Sequence, residues 1–209
     1  MYMRRISSIS ALTCMAMLSA NLLLVILSWI LSAVGVESVR SLISGEGVRW
    51  FLGHYVDIIG TPVLAWLLLL SVSYSSFYGS GLYEVMIYRI KGKRLLLRQR
   101  LGLRVILITL LILTIIIALL TLTPHAILLS PVGNIFPSSF SHSIIPTIAG
   151  AITLMSIIYG LVSGTIRSGH SAFKCLYCKI HTLLPIFLVY IFTAQLFACF
   201  NFVFSILTY

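Results

Sequence analysis

YRIKGKRLLLRQRLGLR at residues 88–104, followed by VILITLLILTIIIALLTLT at residues 105–123, is the stretch on which the fold turns. The first part holds seven of the chain's 14 Lys and Arg residues: Arg89, Lys91, Lys93, Arg94, Arg98, Arg100 and Arg104. The second holds no charge and is almost pure Leu, Ile and Thr. An apolar run of that length crosses the hydrocarbon as a helix, because only a helix satisfies its own backbone there. A basic block beside it marks the end retained in the cytoplasm.

The same pattern extends in both directions. Further apolar spans are predicted over residues 9–36, 62–83, 143–166 and 182–208, with the central one over 105–123. Basic cytoplasmic loops are predicted over 88–104 and 167–181. Of the 14 basic residues, twelve fall on one side of this arrangement, and only Arg40 and Arg49 fall on the other. The N-terminus is therefore expected in the cytoplasm and the C-terminus outside. The four acids, Glu37, Glu46, Asp57 and Glu84, all lie beyond the centres of the spans.

Composition agrees. The 209 residues are 60% hydrophobic and 9% charged, with a mean hydropathy of +1.11. A water-soluble domain cannot bury that apolar fraction. The net charge of +10 would point to nucleic acid in a soluble chain. Here it clusters at the ends of apolar segments, which fits topology and anionic headgroups, so no nucleic-acid partner is expected. The apolar run that follows the N-terminal MYMRRISSIS is longer than a signal-peptide core and is read as a first span.

Between the first two spans the periodicity changes. Val48, Phe51, Leu52, Tyr55, Val56 and Ile59 recur at helical spacing with polar residues between them. This predicts an amphipathic helix over 44–59, lying at the interface. Ser44 suits the N-cap, although Gly47 stands where a capping box needs Glu or Gln. Gly60 suits a helix stop, and Thr61-Pro62 a new start. The later SVSYSSFYGSG (71–81) is rich in small and hydroxyl residues, which in a bilayer face another helix. The fold class expected is all-α and polytopic: about five transmembrane helices plus this interfacial one, in a single domain.

Candidate chemistry is sparse. Cys175 and Cys178 form a CxxC flanked by His170 and His181. Its spacing matches no standard zinc finger, and a structural pair of small residues is the favoured reading over metal, redox or palmitoyl roles. Gln195 and Asn201 lie within the last span, where amides need partners; helix contact is favoured over substrate binding. His125 and His142 bracket an uncharged outer loop and are read as solvated, not as a proton relay. The chain carries no phosphate-binding loop, nucleophile elbow or HExxH. No enzyme activity, cofactor or metal is expected.

Three stretches together resemble the p-aminobenzoyl-glutamate transporter (AbgT) family. SLISGEGVRWFLGHYVDII (41–59) is similar to that family's LLS-x-EG-[IV]-RW segment through Leu42, Ser44, Glu46, Gly47, Arg49 and Trp50. IIYGLVSGTIRSGHSAFK (157–174) is similar to its I-x-YG-[IL]-V-x-GTI[KR] segment through Tyr159, Gly160, Val162, Gly164, Thr165, Ile166 and Arg167. FTAQLFACFN (192–201) is similar to its AAQ…FN segment through Ala194, Gln195, Phe200 and Asn201. Ser80-Gly81-Leu82 also falls in register. The resemblance implies a secondary transporter that dimerises and uses a cation gradient. Its cargo would be p-aminobenzoyl-glutamate, related folate breakdown products or sulfonamide antimetabolites. It also implies a bacterial inner membrane, and a fold with a scaffold of spans and a transport core of two re-entrant hairpins.

Against that pattern the chain reads as an abbreviated member. After Leu82 it passes directly to the basic run, where the family continues into its first hairpin, and after Asn201 it stops short of the second. The expectation is a scaffold that does not transport as a monomer and works as a homodimer or with a partner supplying the core. On this reading Glu46, Gly47, Arg49, Trp50, Tyr159, Gly160 and Gly164 are structural, and no substrate residue is assigned. The alternative is a small regulatory membrane subunit whose basic cytoplasmic face binds lipid or an acidic protein.

Overall fold

The structure is a computed structural model. It describes residues 2–36, 39–92, 94–122 and 139–204, with side chains described except at 2–9, 120–122 and 139–142. Among the described residues the chain is all helical: α1 (Tyr2–Ala33), α2 (Gly45–Ile59), α3 (Pro62–Gly79), α4 (Leu82–Ile90), α5 (Leu97–Leu122), α6 (Ser139–Ser163), α7 (Gly169–Tyr177) and α8 (Ile180–Phe204). Five segments are long and apolar enough to cross a membrane, ending in the joined α7–α8 stretch. His125, and the side chain of His142, lie outside the described residues.

α2 is capped as its sequence dictates. Ser44 adopts extended backbone and its hydroxyl accepts from the Gly47 amide at 3.1 Å, which satisfies one of the four free N–H groups of the first turn. Gly60 closes the helix, its amide donating to the Val56 carbonyl at 2.7 Å. With 15 residues α2 is roughly 22 Å long, short of the ~30 Å hydrocarbon core.

Three boundaries differ from expectation. The second span stops at Gly79 rather than Tyr83, because Gly81 takes left-handed backbone (φ +78°) and starts the separate helix α4. The basic run is not one loop. α4 continues to Ile90, Gly92 turns the chain at φ +66°, and α5 already begins at Leu97. Gln99 accepts from the Leu96 amide at 3.1 Å and so caps that start, which places Arg98, Arg100 and Arg104 on helix. The second basic loop also contains a helix, α7. Ser168 and Ser171 make a reciprocal capping box at its head, with Ser in the role that Glu or Gln more often fills.

The chain divides into two compact units. One comprises residues 1–65 and 182–209, and the other residues 66–181. In the first, Leu42, Cys199 and Val203 are buried, and Leu24, Val25, Trp50 and Phe202 pack on them. In the second, Leu82, Val85 and Tyr159 are buried beneath Phe77, Leu95, Leu103 and Ile106. Elsewhere the helices present apolar side chains outward. Only 6% of α5's most apolar window is buried, as expected for a helix solvated by lipid.

Candidate functional site

The buried polar side chains among the described residues are all serines: Ser28, Ser71, Ser73, Ser75, Ser76, Ser80 and Ser156. Five of them lie along α3 and its end, and they bond rather than bind. Ser73 donates to the Ala149 carbonyl of α6 at 2.7 Å, and Thr153 donates to the Ser73 hydroxyl at 3.1 Å. Ser75 donates to the Cys175 carbonyl at 3.2 Å and accepts from the Lys179 amide at 2.9 Å. Small residues let these backbones approach, and the hydroxyls satisfy carbonyls that lipid could not.

Cys175 and Cys178 belong to this seam. Their thiols lie 3.6 Å from the Ser76 carbonyl and 3.5 Å from the Ser75 carbonyl. A Cβ on Gly79 would fall 2.6 Å from the Cys175 sulfur and 2.9 Å from that of Cys178, so α7 docks where α3 has no side chain. Both cysteines are free. His170 and His181 are exposed, and among the described residues no three potential ligands cluster as a metal site would require.

The second unit has an open cleft of about 600 Å³. Tyr78, Gly79, Gly81, Glu84 and Val85 wall one side, Leu96, Leu97, Arg98 and Gln99 another, and Tyr159, Ser163 and Thr165 a third. The third wall is the family-like YGLVSGTIR segment. Tyr159 is 1% exposed, and its ring lies where a Cβ on Gly102 would be, 2.8 Å from Cε2. Gly102 is thus the gap in α5 that admits the tyrosine. α6 ends as Gly164 turns left-handed (φ +82°), and Ile166 returns its amide to the Gly160 carbonyl at 2.8 Å. Ile166 then folds over Gly160, where any Cβ would overlap it. Arg98 reaches Gly164, its Nη1 being 3.3 Å from where a Cβ would stand. Ser163 and Thr165 hydroxyls pair at 3.0 Å. At the margin, Tyr83 stacks on Tyr78 with ring centroids 4.3 Å apart. The Tyr78 hydroxyl pushes the Tyr83 phenol up from its ordinary range.

In the first unit the segment Leu42–Trp50 has a structural part. Gly47 is buried, and a Cβ there would fall 2.5 Å from the Ser41 carbonyl oxygen and 2.6 Å from that of Leu42. The Leu42 amide donates to the Ser28 hydroxyl at 3.2 Å, and the Arg40 amide to the Val203 carbonyl at 3.0 Å. Trp50 stacks on Phe202 at 4.3 Å with planes 19° apart. Glu46 meets Arg40 at 3.9 Å, both well exposed; such a pair contributes little. Arg49 is exposed.

Gln195 and Asn201 do not make the interhelical hydrogen bonds expected of them. Both are half-buried on α8, but among the described residues neither side chain finds a hydrogen-bond partner. That role falls to Asn21, whose amide donates to the Phe192 carbonyl at 3.2 Å and to Met17 at 2.9 Å. Tyr190 adds a second tie, donating to the Ile59 carbonyl at 2.8 Å. An amide near mid-span was the available signal for Asn21. Gly79 and Gly102 were visible only as glycines among apolar residues, and Glu84 and Arg98 only as charges.

No curated protein and no solved structure matches the chain. A family match does exist, to the AbgT putative transporter family, over residues 86–205. It takes in Tyr159–Arg167 and Ala194–Asn201 and leaves Leu42–Trp50 outside. The matched region is more than half of the 209 residues. With five candidate spans the protein is an integral membrane protein of a transporter family and not an enzyme, and the chain belongs to the AbgT family.

Proposed function

We propose that these 209 residues form the scaffold part of an AbgT-type secondary transporter for p-aminobenzoyl-glutamate or related folate catabolites and antimetabolites. Transport would require either copies of the chain that build a pore between them or a partner chain that supplies the core. The observation that carries this reading is the family match over residues 86–205. It is supported by the α3 seam, whose buried serine hydroxyls are engaged by backbone rather than held ready for a cargo. Among the described residues the unspent polar groups, the Ser41 and Thr182 hydroxyls and the Gln195 and Asn201 amides, carry no charge to meet a dicarboxylate. The membrane proposed is the bacterial inner membrane, with the N-terminus cytoplasmic and the C-terminus outside. The proposed assembly is a homodimer or a complex with a core-bearing partner.

The test is uptake of radiolabelled p-aminobenzoyl-glutamate into inverted and right-side-out vesicles. The chain is assayed alone and together with a full-length AbgT transporter. Expected is no uptake alone and altered uptake on co-expression. Uptake by the chain alone would overturn the scaffold reading. Unaltered uptake on co-expression would overturn the transport role and favour a regulatory membrane subunit. The observation behind that second reading is the exposed basic run, in which Arg89, Lys91, Arg94, Arg98, Arg100 and Arg104 all face outward.

A further inference from the structure

We propose that the cleft of the second unit is a headgroup site for a phospholipid bearing a primary ammonium beside its phosphate, with Arg98 taking the phosphate and Glu84 the ammonium. Both residues line the cleft, and both side chains are exposed. Among the described residues neither makes an ion pair or hydrogen bond; the ion pair found there is Arg40–Glu46. Exposed opposite charges gain little by closing on each other, so both stay open to a ligand that brings the complementary charges. A headgroup with its two charges in series is such a ligand.

Depth supports the same assignment. The cleft is bordered by Gly79, the last residue of α3, by Leu97, the first of α5, and by Ser163, the last of α6. Three membrane-crossing helices end at it, which sets it at headgroup level. Its rim is apolar, with Leu96 71% and Leu97 78% exposed, as glycerol and upper acyl carbons require. In the Ser163–Thr165 hydroxyl pair, the Thr165 O–H is left for a phosphate oxygen when Ser163 donates to Thr165.

Glu84 is what selects. The basic residues nearby attract the phosphate of any lipid. A headgroup lacking an ammonium meets the Glu84 carboxylate as repulsion. A quaternary ammonium offers it charge but no N–H, and so loses the charge-assisted hydrogen bond. The site stands whether or not the chain transports.

Native mass spectrometry of the full chain tests this, using micelles with equal phosphatidylethanolamine, phosphatidylcholine and phosphatidylglycerol. Phosphatidylethanolamine should be retained in excess. Glu84→Gln should cut its advantage over phosphatidylcholine by about tenfold, the size of one charge-assisted hydrogen bond, and Arg98→Gln should weaken retention of all three. Among the described residues neither side chain has a hydrogen-bond or ion-pair partner, so an unchanged melting midpoint verifies that both variants fold. Equal or greater retention of phosphatidylglycerol, or an unchanged preference in Glu84→Gln, overturns the proposal. Free phosphoethanolamine separates the sources. Displacement of bound lipid shows that headgroup chemistry suffices, and selective retention without displacement ties the site to lipid in the bilayer.

Discussion

Gly47 and Gly53 lie on the same helix and meet opposite surroundings. A Cβ on Gly47 would sit 2.5 to 2.7 Å from backbone atoms of Ser41 and Leu42, whereas one on Gly53 meets nothing within 4 Å. Backbone cannot swing aside as a side-chain end can, so Gly47→Ala must push the capping loop off α2. Overpacking of this kind costs about 1–3 kcal/mol. Gly53→Ala removes only a flexible residue from an exposed helix interior and should gain about 0.8–1 kcal/mol. In detergent, the thermal midpoint followed by circular dichroism should fall for the first and rise for the second. A midpoint unchanged by Gly47→Ala would refute the close approach. The same logic explains why the family-like glycines are glycines: Gly160 lies under Ile166, and Gly164 turns left-handed.

At the scale of elements, the docking of α7 against the end of α3 rests on Ser75. Its hydroxyl serves both the Cys175 carbonyl and the Lys179 amide. Ser75→Ala would take the acceptor from the part-buried Lys179 amide and leave the Cys175 carbonyl only the weak Cys178 thiol, at about 1–3 kcal/mol. If that loss loosens α7 locally, Cys175, which is 4% exposed, should react with maleimide roughly tenfold faster or more, since 1.4 kcal/mol is a factor of ten in the open population. An unchanged labelling rate would show that the seam is held elsewhere. The existence of this seam was legible in SVSYSSFYGSG, because small hydroxyl residues have one common use in lipid. α2 was legible through Ser44, Gly60 and Thr61-Pro62. The helices inside the basic segments were not, because clustered charge marks a membrane boundary and carries no helical period of its own. Gln99 capping α5 and Ser171 completing α7's box are local hydrogen bonds that composition does not display. The choice of Asn21 over Gln195 and Asn201 was also hidden, since the rotation of each helix about its axis decides which amide meets a carbonyl.

For the whole molecule, orientation follows from where charge stands relative to the spans. α3 has 18 residues and no charged side chain. The helix on its N-terminal flank, α2, carries Arg49 as its one basic residue, while the run from Arg89 to Arg104 on its C-terminal side carries seven. Moving one elementary charge across a membrane costs about 2.3 kcal/mol per 100 mV, so translocating that run against a potential of about 100 mV, inside negative, would cost roughly 16 kcal/mol. Reversing α2 instead moves far less net charge, because Arg49 is offset by Glu46 and Asp57. The run should therefore face the cytoplasm and α2 the outside. Single cysteines at Arg94 and Gly53, in a chain whose native cysteines are replaced by serine or alanine, put this to measurement. An impermeant maleimide applied to intact spheroplasts should label Gly53→Cys at once and Arg94→Cys only after permeabilisation. The reverse pattern would overturn the orientation. Labelling of both positions in intact cells would mean a mixed topology, which twelve cations against two should not allow.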